Sequence, residues 1–146
     1  MDINRDAPVV AGGEIAISAP IEVVWAIHTD VAGWPSWRPE VETAEAHGPL
    51  AVGSTFSRRT GGLDITSAVG ELDAPRRIAW SGAASGIVAI QAWTLEARDG
   101  RVLVRTDESW EGEPVAADPD AMQAALDRSL REWLEHLKRT AEAHSG

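Results

Sequence analysis

Apolar and polar positions alternate through Gly13, Ile15 and Ile17 against Glu14, Ala16 and Ser18, the two-residue period of a strand with one buried face. Residues 1 to 12 lack such a period and read as a loose terminus, with late pairing to the sheet as the alternative. Ser18-Ala19-Pro20 then opens a helix, with Ser18 or Ala19 near the cap, the proline preset for the first turn and Glu22 suited to the helix dipole. That helix is expected to reach about Thr29, and Asp30 is placed to cap a second short one, Val31 to Trp37, limited by Pro35 and ended by Pro39. Strand-like stretches follow at Glu40 to His47, Gly53 to Thr60, Leu63 to Leu72, Arg77 to Ser81, Ile87 to Ala97 and Val102 to Glu111. Gly61-Gly62, Ala74-Pro75, Gly82 to Gly86 and Asp99-Gly100 are the joints, and Asp99-Gly100 suits a type I′ hairpin, which needs positive φ at both central residues.

The last element has a different period. Asp118-Pro119-Asp120 supplies a cap, a first-turn proline and an acidic first turn, and a long helix to about Ala143 is expected. Met122, Leu126, Leu130, Trp133, Leu137 and Ala141 recur at three and four residues and form one apolar stripe, with Ala125 and Leu134 at its margins. No crossover helix separates the strands after Pro39, so an antiparallel meander is predicted. The order of elements describes a single α+β domain over residues 1–146. Its seven-stranded curved antiparallel sheet wraps around a long C-terminal helix, and two short helices after the first strand close one end. A ketosteroid-isomerase-type cone places its helices before most strands and lacks the long final helix.

Composition narrows the function. A chain of 146 residues can bury a real core, and no apolar run approaches the roughly 18 residues of a membrane span. The first six residues are charged with no apolar stretch behind them, so an unprocessed cytoplasmic protein without membrane insertion is expected. Cysteine is absent and the four histidines are scattered, so neither a disulfide framework, a metal nor a cofactor is expected. A formal charge of −10, relieved only by Arg58-Arg59 and Arg76-Arg77, argues against nucleic acid as a partner. Seven tryptophans, one phenylalanine and no tyrosine stand among many small residues, a mixture that can leave interior space unfilled.

Ile17-Ser18-Ala19-Pro20-Ile21-Glu22-Val23-Val24-Trp25, then Asp30, Trp34 and Trp37-Arg38-Pro39, resemble the START-like superfamily. That group includes polyketide cyclase/dehydrase-type proteins, lipid-transfer domains and plant pathogenesis-related allergens. Trp93-Thr94-Leu95-Glu96, Asp99-Gly100 and Glu108-Ser109-Trp110-Glu111-Gly112 look like its paired last strands. The resemblance implies the helix-grip fold and a pocket, and it transfers no catalytic residue.

Hairpin alternation puts Val102, Val104, Thr106, Glu108 and Trp110 on the concave face, where desolvation would raise the Glu108 pKa and fit it for acid–base work. Glu108 at the rim, or paired with an arginine, is the plain alternative. Arg58 shares a face with Phe56 and either meets Glu108, receives a substrate carboxylate or enolate, or lies solvated. His28, one turn after Val24 and Trp25, is either a general base at the pocket entrance or a cap on its helix C-terminus. Glu108, Arg58 and His28 are thus the catalytic candidates. Phe56, Ser67, Trp80, Gln91, Trp93, Thr106, Trp110, Leu126, Leu130 and Trp133 are the candidate ligand-binding residues, the alternative being ordinary core for the tryptophans and a backbone or water partner for Ser67 and Gln91.

Three functions follow. The first is binding of a hydrophobic small molecule, aromatic, polyketide-like or lipid, in a cavity between the C-terminal helix and the sheet, by a monomer or weak homodimer. The second adds cyclase/dehydrase turnover in that cavity. The third, from a different class, is an interaction module like the Hsp90-activator relatives of this fold.

Overall fold

Strands form where period-two alternation runs along the chain, in a computed structural model that describes residues 1–145. They are β1 Val9–Ile17, β2 Val41–Ala46, β3 Thr55–Thr60, β4 Leu63–Asp73, β5 Arg77–Ala84, β6 Ile87–Arg98 and β7 Arg101–Glu111. The helices are α1 Ile21–Thr29, α2 Glu113–Ala117 and α3 Pro119–Ser145, with a 3-10 helix at Val31–Ser36. All strand pairs are antiparallel, in the order β1-β7-β6-β5-β4-β3-β2, so the meander from β2 to β7 is finished by β1 returning to the free edge of β7. Register shifts at Val41/Thr43 and Val69/Glu71 add local bend to a sheet already curved by strand twist.

The helix α3 lies against β1 and α1 inside this curve, the helix-grip arrangement. Its stripe explains the placement, because Leu126, Leu130, Trp133, Leu134, Leu137 and Ala141 are all buried. Full burial of a leucine contributes about 1.5–3 kcal/mol, so this seam is a main source of stability. Polar latches fix its register. Gln123 donates to the Val10 carbonyl at 2.9 Å, Lys138 to the Ala16 carbonyl at 2.7 Å, and Glu142 accepts from the Ser18 amide at 2.9 Å. Asp118 caps α3 through the Ala121 amide at 3.2 Å, and Asp99 and Gly100 take φ values of 52° and 78° in the β6–β7 turn.

Several boundaries differ from the sequence reading. The loose terminus is in part ordered: β1 begins at Val9, Ile3 is buried, and Ala11-Gly12-Gly13 is strand. Those small residues carry no apolar signal because they serve close approach: a Cβ on Gly13 would lie 3.1 Å from Leu134 Cδ1 of α3. Pro20, not Ser18 or Ala19, is the N-cap of α1. Asp30 makes no side-chain cap; its carbonyl accepts from Gly33, and the segment is 3-10 because Pro35 interrupts it. The strand β5 runs on to Ala84, with its turn confined to Ser85-Gly86. The short α2 was not foreseen; Gly112 enters it at φ 129°, where a Cβ would strike the Gly86 carbonyl, and Val115 is buried beneath.

Candidate functional site

Two halves of the concave face are filled differently. Toward α1 and the 3-10 helix, Trp34, Phe56, Trp80, Trp93 and Trp133 pack ring against ring, with centroids 4.9–6.2 Å apart in their contacting pairs. That half is solid. Toward the β3–β4 and β5–β6 turns, the inward positions are small. Gly82 pairs with both Ser67 and Ala89 across the neighbouring strands, and Ala84 pairs with Ile87. With no bulk at Gly82, Ala84 and Ala89, a cavity of about 110 Å³, partly open to solvent, remains. Its walls are Arg58, Ile65, Trp80, Gln91, Glu108 and Trp110, and Leu63 and Ile87 stand at the mouth. Among the described residues none of α3 lines it; residues of β3 to β7 form the walls of the space expected between helix and sheet.

The polar groups reach the cavity from four strands, Ser67 from β4 among them. On β7, alternation turns Glu108 inward beside Trp110, whose Nε1 donates to Glu108 Oε2 at 2.7 Å. Burial raises the Glu108 pKa, and the Trp110 bond and the charges of Arg58 and Arg38 only partly offset this. On β3, Arg58 follows Phe56 inward, while Arg59 points out to Glu42 and Asp64 at 3.3 Å. Arg58 Nε and Nη1 are shut off from solvent without a hydrogen-bond partner, and burial holds this guanidinium below its ordinary pKa. Among the described residues no carboxylate lies within 4.0 Å of it. On β6, Gln91 donates to Thr106 at 3.1 Å, and Thr106 in turn donates to the Ala92 carbonyl at 3.1 Å.

Behind Arg58 lies Arg38, which the sequence reading did not single out as a site residue. Its guanidinium carbon stands 3.4 Å from the Trp133 ring centroid and its Nε donates to Glu40 at 2.8 Å, while Nη1 has no partner. Only 3% exposed, it titrates at about 9, lowered by burial and by the like charge of Arg58, with Glu40 pulling the other way. The available signal was Glu40, an acidic partner two residues on.

The structure thus brings Glu108, Arg58, Ser67, Trp80, Gln91 and Trp110 together around one cavity. Phe56, Trp93 and Trp133 sit in the solid aromatic half, Thr106 is spent on hydrogen bonds, and Leu126 and Leu130 form a separate cluster with Val9, Ala11 and Val115. His28 is neither at the mouth nor a cap: it is fully buried beside Trp34, Trp80, Trp93 and Trp133, its ring 4.1 Å from that of Trp93. Neither ring nitrogen has a partner, and burial, with Arg38 nearby, pushes its pKa down to about 3. Gly82, Ala84 and Ala89 were missed because a small residue looks alike in sequence whether it lines a cavity or fills a turn. Among the described residues no group of three or more His, Asp or Glu is placed to hold a metal, and no helix is long and apolar enough to cross a membrane.

A family model described as polyketide cyclase / dehydrase and lipid transport matches residues 10–142. No curated protein matches the chain. Solved structures share the fold at low identity. A hypothetical protein from Helicobacter pylori superposes with a TM-score of 0.84 at 22% identity, covering 95% of this chain and 91% of that one. A START superfamily protein from Mycobacterium smegmatis gives 0.79 at 16% identity, covering 92% and 97%. The Zhui aromatase/cyclase from a Streptomyces species gives 0.75 at 18% identity, covering 91% and 93%.

Proposed function

The chain belongs to the polyketide cyclase/dehydrase and lipid transport family, and from that premise we propose that it binds a compact apolar molecule with a polar oxygen in the cavity between β3 and β7. The observation that carries this is the small-residue floor of Gly82, Ala84 and Ala89 beneath the indoles of Trp80 and Trp110. A void of about 110 Å³ is somewhat smaller than the roughly 150 Å³ apolar cavity known to admit benzene, so a short acyl segment would fit inside and a ring would lie partly in the open mouth. A longer ligand would leave through the mouth past Leu63 and Ile87. Gln91, Ser67 and Arg58 are the polar points that would orient it.

The chemistry present also supports a catalytic version of this reading. Arg58 would polarise a ligand carbonyl, and Glu108, kept protonated to higher pH than an ordinary carboxyl, would exchange a proton with the developing enol. Positioning within the walls would favour intramolecular aldol closure and dehydration. The interaction-module alternative is not favoured, since the large exposed apolar residues, Met1, Val52, Leu63 and Val88, are scattered.

Acetophenone, one ring with one carbonyl, is the direct probe. Titration followed by indole fluorescence and native mass spectrometry is expected to show saturable one-to-one binding. Absence of saturation by both methods, with benzoate as well as with acetophenone, would end the proposal.

A further inference from the structure

Buried polar groups are normally hydrogen-bonded, and an orphaned one asks for a missing partner. Three buried guanidinium nitrogens, Arg58 Nε, Arg58 Nη1 and Arg38 Nη1, lack one here. The two cations stand together over the same ring, their carbons 5.3 Å and 3.4 Å from the Trp133 centroid. Glu40 answers the charge of Arg38 at 2.8 Å. Nothing equivalent answers Arg58: Glu108, on the same cavity, forms no ion pair with it and is engaged by Trp110. Arg58 thus brings a positive charge with no ion-pair partner to the wall of an apolar space, beside Trp80, Trp110 and Ile65, while its two orphaned nitrogens lie shut off from solvent.

We infer that the occupant of this cavity is a compact organic carboxylate, an anion on a single ring or short apolar chain, received by Arg58 and backed by Arg38. The inference rests on the ligand-binding reading above and narrows its chemistry. A neutral ketone would offer an acceptor and no charge, whereas a carboxylate supplies both, with the planar geometry a guanidinium prefers. Its apolar body would cover the small-residue floor. The chain's formal charge of −10 repels anions at long range, which selects a monoanion held by local contact over a polyanion.

Benzoate and benzamide have nearly the same shape and differ in charge, so their affinities, measured by calorimetry at pH 7, isolate the contribution of Arg58. Benzoate is expected to bind at least tenfold more tightly to the native protein. Arg58→Gln should erase that preference by lowering benzoate affinity at least tenfold more than benzamide affinity, and Arg58→Lys should keep the preference in reduced form. Equal affinities in the native protein, or a preference surviving in Arg58→Gln, would overturn the inference. The native comparison decides the matter even where a variant fails to fold. Binding of acetophenone and benzamide without preference for benzoate would refute the carboxylate alone; binding of none of the three would refute the ligand reading beneath it.

Discussion

Replacing His28 by phenylalanine should flatten the acid limb of the stability curve. An imidazole in the unfolded chain takes up a proton near pH 6.5, whereas His28 in the fold does so only near pH 3 because burial removes its hydration and Arg38 repels the charge. Between those values the unfolded state holds one more proton than the folded state, so folding weakens as pH falls. The native protein thus has the full stability from this group above pH 6.5 and loses about 1.4 kcal/mol for each unit below it, until the folded imidazole also titrates. At pH 4.5 the loss is about 3 kcal/mol, a large fraction of the 5–15 kcal/mol typical of a domain. Urea unfolding of native protein and His28→Phe at pH 7.5, 6.0, 5.0 and 4.5 measures it. A change in packing caused by the phenylalanine offsets the whole curve by an amount independent of pH. Glu108 works in the opposite direction, since its raised pKa lets the folded state gain stability as pH falls, and it is common to both proteins. Parallel curves from pH 6.5 to 4.5 would refute the reasoning, because His28 would then be protonated in the fold without penalty.

Filling the cavity should separate stability from binding: Ala89→Leu is expected to raise stability by about 1–2 kcal/mol in urea titrations, below the ~2.6 kcal/mol that about 24 cal/mol per Å³ implies for a closed void of this size, and to abolish acetophenone binding. Leu137→Ala removes a fully buried contact at the α3 seam and should destabilise by about 2–5 kcal/mol in the same assay. Asp118→Ala deletes the cap of α3 and should lower stability by about 1 kcal/mol, with no effect on ligand affinity since α3 does not line the cavity. If the catalytic version holds, Glu108→Gln should lower turnover of a cyclisable poly-ketone by about 10²–10⁴-fold in a product assay, with ligand affinity preserved.

The elements were readable because their signals are local. Period-two alternation marks β4, β6 and β7, the three-and-four spacing of Leu126, Leu130, Trp133 and Leu137 marks α3, and Asp99-Gly100 and Asp118-Pro119 mark a turn and a helix start by their own backbone preferences. Alternation also aimed Glu108, Arg58, Ser67 and Gln91 inward, since in a strand each residue's face follows from its neighbour's. The start of β1 was lost where Gly12 gives up side-chain bulk against Asp107 of β7 and Gly13 against Leu134 of α3, requirements that belong to partners far along the chain.

By itself, then, the sequence determined the order of the strands and main helices, the antiparallel meander, the gripping helix and the face of the inward strand residues, because all of these follow from periods and turn chemistry within a few residues. Only the tertiary structure decided that five aromatic rings fill one half of the concavity while Gly82, Ala84 and Ala89 leave the other half open. It alone sealed His28 among four indoles and placed Arg38 behind Arg58. Burial and empty space are sums over segments distant in the chain, and no local pattern carries them.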